Sequence, residues 1–167
     1  MKPDSNEQKS TPTVSLRPVT SEDEPFLLQL YASTRADEMA LVPWSDEQRH
    51  AFVSSQFAAR QDFYSQTYPR GDRSIILVPG RPVGCLYLAR LEDQLRIVDL
   101  TILPEDQNAG IGGYLLKELQ NEARRSEKPL RIYVESFNPS MRLFERLGFQ
   151  SIEEQGVHLL MQWPPNA

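Results

Sequence analysis

Leu100-Thr101-Ile102-Leu103-Pro104-Glu105-Asp106-Gln107-Asn108-Ala109-Gly110-Ile111-Gly112-Gly113 is the stretch that decides the fold. It runs from an apolar strand through a proline stop and a polar loop into three glycines at the head of a helix. The helix is read over 110–127, where Ile111, Leu115, Leu119 and Ala123 stack every four residues. A strand, a glycine-bearing loop and a helix N-terminus together present unpaired N–H groups and the positive end of a helix dipole, which suits an anion. A tight turn with close helix packing explains the same glycines equally well. Leu115 stands where a dinucleotide fingerprint needs its third glycine, and Tyr114 follows Gly113 where a Walker loop needs lysine. Both of those phosphate loops are excluded.

Outward from this stretch, strands and helices follow one another in a single α/β pattern. Val14 and Leu16 alternate with Ser15 and Arg17 in a short strand left at Pro18. Thr20 or Ser21 caps a helix whose first turn holds Glu22, Asp23, Glu24 and Pro25, and whose stripe is Phe26, Leu27, Leu30 and Tyr31. Pro43 and the charges at Asp37 and Glu38 break the period over 35–44, which reads as a loop with some helix. Ser45 caps a second helix that ends before Pro69. Residues 74–78 and 83–91 form a hairpin around Pro79-Gly80-Arg81-Pro82, and 95–103 extends the meander. Residues 130–134 are a strand, 140–147 a short helix stopped by Gly148, and 150–153 with 157–163 a closing strand pair. Residues 1–13 are polar and read as a flexible tail before a single domain at 14–167.

A second motif, Val134-Glu135-Ser136-Phe137-Asn138-Pro139-Ser140-Met141-Arg142-Leu143-Phe144-Glu145-Arg146-Leu147-Gly148-Phe149, joins the first. Together, in this order and separation, they resemble the GNAT superfamily of acyl-CoA-dependent N-acetyltransferases. Gln107-Asn108-Ala109-Gly110-Ile111-Gly112 is similar to that family's pyrophosphate loop, and the second motif to its Asn-containing loop, short helix and Gly-Phe. The resemblance implies a mixed, mostly antiparallel sheet of about seven strands with helices on both faces and a splayed central strand pair. It implies that the pantetheine arm of acetyl-CoA lies in that splay, bonded by main-chain groups of Leu100, Ile102 and Leu103. It also implies that residues Asn108, Ala109, Gly110, Ile111, Gly112 and Gly113 hold the pyrophosphate and that Asn138 and Arg142 lie near the arm and the adenosine.

The chain departs from the family at three places. Ala109 replaces a basic residue before the first motif glycine. Phe144 stands beside the donor where many members place a tyrosine that protonates the departing thiolate. Arg96 and Tyr133 stand where glutamates are usual. The catalytic roles are therefore read from the reaction itself. An ammonium must lose a proton, the amine must attack a thioester, and the oxyanion needs a donor. Leu100 N–H is the expected oxyanion donor, Glu135 and Asp99 are the candidate bases, and Tyr133 is a candidate proton donor or relay. Glu135 and Asp99 are equally explained as ordinary strand residues, and Tyr133 is better explained as packing.

The acceptor is read as a primary amine of a small molecule, attacked directly in a ternary complex. Residues 21–50 hold seven acids against Arg35 and Arg49, so Asp37, Glu38 and Trp44 are read as framing a cationic amine, while the same acids also suit helix N-termini. A protein N-terminus or lysine, or a non-catalytic acyl-CoA sensor, are the alternative readings. The net charge of -5, from 18 Lys+Arg and 23 Asp+Glu, argues against nucleic acid or anionic lipid as partner. One cysteine, Cys85, and no apolar leader or span point to the cytoplasm. Two histidines far apart in sequence give no metal-ligand spacing, so no metal is expected. A homodimer is left open.

Overall fold

The computed structural model describes residues 13–166, so the tail reading for 1–13 falls almost wholly outside the described residues. Seven strands form one sheet in the order β1 (Ser15–Pro18), β2 (Asp72–Val78), β3 (Arg81–Arg90), β4 (Leu95–Ile102), β5 (Leu130–Glu135), β7 (His158–Trp163), β6 (Gln150–Gln155). Every neighbouring pair is antiparallel except β4 and β5. Helices α1 (Glu24–Ala40) and α2 (Asp46–Thr67) cover one face of the N-terminal half, and α3 (Ile111–Ser126) and α4 (Met141–Arg146) cover the other face.

Each helix face follows from its apolar stripe. Leu27, Leu30 and Tyr31 of α1 with Val53 and Phe57 of α2 bury against Ile75, Cys85 and Leu103. Ile111, Leu115, Leu116, Leu119 and Ala123 of α3 bury against Leu95 and Ile97 of β4 and Leu130, Ile132 and Val134 of β5. Burial of each large side chain contributes about 1.5–3 kcal/mol. Ser45 caps α2 as expected: its Oγ accepts from Gln48 N at 3.2 Å, and Gln48 Oε1 accepts from Ser45 N at 2.9 Å. At the head of α1, Asp23 accepts from Thr20 N and takes both ends of the Arg17 guanidinium, at 2.8 and 2.7 Å.

Two local readings need correction. The segment 35–44, read as a loop with some helix, is helical for longer than its charges suggested: α1 continues to Ala40, because Asp37 and Glu38 sit on its solvent side and Arg35 pairs with Glu38 one turn on, and only residues 41–44 are loop. Arg81 and Pro82 belong to β3, since Val78 pairs with Arg81 and leaves only Pro79-Gly80 in the turn, with Gly80 at φ 82°.

The central feature is the β4–β5 pair. It has three rungs, Leu95↔Leu130, Arg96↔Arg131 and Ile97↔Ile132, and then the strands part. A bulge sits at the same place, since Tyr87 pairs with Asp99 but Leu88 with Ile97, leaving Val98 as the extra residue. A one-residue bulge exchanges the two faces of a strand. Leu95 and Ile97 face α3 before it, Leu100 and Ile102 face α3 after it, and Asp99 and Thr101 are turned to the α1–α2 side.

Candidate active site

The wedge between β4 and β5 has backbone on one wall that no strand satisfies. Leu103 N–H donates to Val83 O at 2.8 Å, so alternation along β4 directs Thr101 to β3 and points the peptide groups of Leu100 and Ile102 into the wedge. Gln107 Nε2 donates to Ile102 O at 3.0 Å, which ties the loop to the strand end and leaves Ile102 N–H and both Leu100 groups facing the opening.

At the outer end of the wedge stands the N-terminus of α3. Gly110 is its N-cap in the left-handed region (φ 84°), Asn108 precedes it at φ 61°, and no side chain caps the helix. The first N–H groups of an α-helix have no intrahelical acceptor, so those of Ile111, Gly112 and Gly113 are directed outward with the dipole behind them. Close packing does not require the two helical glycines. A Cβ at Gly112 would meet Ile102 and Leu143 at 3.6 Å, and one at Gly113 would meet Leu143 at 3.7 Å, both ordinary contacts. Glycine inside a helix costs about 0.5–1 kcal/mol relative to alanine, and packing within the chain gives no reason for that cost here. The loop is anchored by Asp106, which is buried and takes both ends of the Arg81 guanidinium. That pairing holds the Asp106 carboxyl below the usual carboxylate range.

The second motif lies across the gap. Asn138 Oδ1 accepts from Ser140 N at 2.8 Å and shapes the entry to α4, while Arg142 is exposed on that helix. Phe144 is packed into the core, 4% exposed and edge-on to Phe149, so its side chain has no open surface for a donor and no hydroxyl at this point.

On the face opposite α3, the two candidate bases stand on different arms of the wedge. Asp99 is engaged: Arg60 Nη2 lies 3.0 Å from it and Thr101 Oγ1 donates to it at 2.7 Å. Burial opposes the Arg60 charge, but Asp99 and Tyr64 outweigh it and hold the guanidinium above its usual range. Glu135 ends β5, opposite His158 in register, with His158 Nε2 at 3.9 Å from its carboxylate. Tyr133, also on that face, is held under the Arg96 guanidinium at 4.8 Å from the ring centroid. A cavity of about 20 Å³, room for about one water, lies beneath α2 among Tyr31, Arg60, Tyr64, Arg73, Cys85 and Asp99. Cys85 is buried and burial pushes its thiol up, so it is inert at neutral pH. Asp37, Glu38 and Trp44 do not line this cavity: Asp37 is exposed, Glu38 pairs with Arg35 at 3.0 Å, and Trp44 lies edge-on to Phe52 at 5.2 Å. Arg60 escaped the sequence reading, although a lone arginine on the apolar side of a helix pattern, eight residues after Phe52, was a visible sign of a buried partner. Among the described residues no cluster of metal-ligating side chains occurs and no helix is long and apolar enough to cross a membrane.

A split central strand pair beside a glycine-headed helix defines the class. Residues 71–151 match the family model "Acetyltransferase (GNAT) domain". The fold is shared with the PaiA N-acetyltransferase from Thermoplasma acidophilum in complex with coenzyme A, at 17% identity and TM-score 0.68 over 90% of this chain and 98% of that one. It is also shared with the ribosomal-protein-S18-alanine N-acetyltransferase of Escherichia coli, at 18% identity and TM-score 0.59 over 90% and 92% of the two chains. A GNAT family acetyltransferase from Elizabethkingia anophelis with acetyl-CoA bound matches at 20% identity and TM-score 0.56, over 89% and 96%. No curated protein sequence matches significantly. Residues 71–151 are thus similar to a GNAT acetyltransferase domain, and the fold is the one those N-acetyltransferases share.

Proposed function

We propose that this acetyltransferase moves an acetyl group from acetyl-CoA to a primary amine of a small molecule by direct attack within a ternary complex. The observation that carries the reading is the junction of two features: unpaired β4 peptide groups along the wedge, and an uncapped glycine-bearing helix N-terminus at its mouth. Extended pantetheine matches the first by strand-like hydrogen bonding, and a pyrophosphate matches the second.

Residues of this chain divide the work as follows. The backbone of Leu100 and Ile102 orients the thioester, and Leu100 N–H receives the developing oxyanion. Glu135 takes the ammonium proton, directly or through one water, since Asp99 is neutralised by Arg60. The amine nitrogen then bonds to the acyl carbon, the carbon–sulfur bond breaks, and the thiolate is protonated from solvent, Phe144 having no proton to give. A positioned base contributes about 10²- to 10⁴-fold.

The test is a thermal-melt titration with acetyl-CoA against adenosine diphosphate, followed by thiol release over an amine panel. Ligand at about 100 times its dissociation constant adds about 2.7 kcal/mol. A melt shift selective for acetyl-CoA with amine-dependent thiol release supports the reading. Absence of a shift at millimolar acetyl-CoA in folded protein removes the donor assignment, and a shift without thiol release removes the transfer.

A further inference from the structure

On the open face of the sheet, next to the wedge, two arginines stand side by side with no acidic partner among the described residues. Leu95 and Ile97 of β4 and Leu130 and Ile132 of β5 turn toward α3, so Arg96 and Arg131 project from the opposite face, and the two are direct partners in the parallel ladder. Like charges at adjacent strand positions repel. Six other arginines of the sheet and its helices, Arg17, Arg35, Arg49, Arg60, Arg81 and Arg90, each meet a carboxylate, but neither Arg96 nor Arg131 does among the described residues.

The pair is held in place. Arg96 Nε donates to Gln94 Oε1 at 3.0 Å and Arg131 Nε donates to Gln162 Oε1 at 2.7 Å. Gln94 and Gln162 are themselves buried, 8% and 2% exposed, and Arg96 lies over the Tyr133 ring. Each guanidinium thus has its Nε fixed by a neutral acceptor while its terminal Nη donors meet no protein acceptor among the described residues. Two oriented forks with free donors match a carboxylate or phosphate, which accepts bidentate pairs from guanidinium groups.

Position connects this feature to the reaction. Arg96 and Arg131 sit one rung before the last of the ladder, Tyr133 is the first residue of β5 beyond it, and Glu135 lies two further along the same face. We propose that Arg96 and Arg131 bind an anionic group carried by the acceptor, so that the acceptors are amines bearing a carboxylate or a phosphate rather than simple cationic amines. This rests on the transfer reading above and replaces the expectation of a cationic acceptor. The acceptor's anion meets the arginine pair, its chain passes over Tyr133, and its ammonium reaches Glu135.

The experiment measures thiol release at saturating acetyl-CoA with matched pairs: 4-aminobutyrate against butylamine and butane-1,4-diamine, and O-phosphoethanolamine against ethanolamine. The two sets separate a carboxylate from a phosphate source. The expected result is a KM at least about tenfold lower for the anionic member of one set, the effect of one charge-assisted hydrogen bond. Arg96→Gln and Arg131→Gln should each raise that KM about tenfold while leaving the kinetics of the member without an anionic group and the acetyl-CoA melt shift unchanged. Equal or better use of butylamine or the diamine overturns the proposal, as does a variant that slows both members alike. If acetyl-CoA binds and no amine releases thiol, the transfer reading fails on its own. The arginine pair is then judged by the Nε–Hε resonances of Arg96 and Arg131 in a titration with acetate and with inorganic phosphate. Saturable movement abolished by either substitution supports an anion site, and its absence overturns it.

Discussion

Replacing Gly112 and Gly113 with alanine should make the protein more stable and less able to bind its donor. Both residues are helical, neither has a positive φ, and the added methyl groups meet Ile102 and Leu143 at 3.6–3.7 Å without a clash. Alanine gains about 0.5–1 kcal/mol over glycine at a helical position. Two substitutions therefore gain about 1–2 kcal/mol, or about 2–8 °C in a domain of this size. The same methyl groups occupy the space beside the free N–H groups, between β4 and α4, where the proposed donor's phosphate would approach. A tenfold loss of affinity lowers the stabilisation at the former saturating concentration from about 2.7 to about 1.4 kcal/mol. The assay is one melting experiment per variant, with and without acetyl-CoA: the apo midpoint rises and the ligand shift falls. A lower apo midpoint would show that the glycines are there for packing, and an unchanged ligand shift would show that the anion binds elsewhere.

Arg60→Met leaves the half-buried Asp99 carboxylate with only Thr101 and the Cys85 thiol as partners, and should cost about 1–3 kcal/mol; differential scanning calorimetry should show most of it restored by adding Asp99→Asn, and additive losses would contradict the pairing. Glu135→Gln should lower turnover about 10²- to 10⁴-fold near neutrality, and the deficit should shrink at high pH as the acceptor becomes a free amine unaided. A variant with the wild-type pH profile would take the proton-transfer role away from Glu135. Asp106, whose folded pKa is depressed chiefly by the Arg81 hydrogen bond, contributes stability above the unfolded carboxyl pKa of about 3.9 that is lost as pH falls through the folded value. The difference in urea midpoint between wild type and Asp106→Asn should therefore be steady above about pH 5 and shrink in more acidic buffer; a difference independent of pH would refute the pairing.

Much of this architecture is written in local pattern. The stripe of α3, the Ser45 cap and the proline and glycine punctuation fix their elements because each is decided within a turn or two of chain. The continuation of α1 was hidden because charges on a solvent-facing helix surface look the same as charges in a loop. The bulge at Val98 left a trace that a strict period-two reading passes over: the apolar positions facing the core change from odd, Leu95 and Ile97, to even, Leu100 and Ile102. The pairing of Arg60 with Asp99, and of Arg96 beside Arg131, depends on register between segments some 35–40 residues apart, which no local spacing encodes.

Three rungs are a thin seam for a sheet of seven strands. Amides near such a seam open in small cooperative units well below the global unfolding free energy. A donor arm lying along β4 and bonding across to β5 would complete the seam as an eighth strand does, turning two panels into one plate. Amide exchange should then slow as a block through β5 and β7, well beyond the residues the donor touches, and this delay would report occupancy of the wedge without any chemistry taking place.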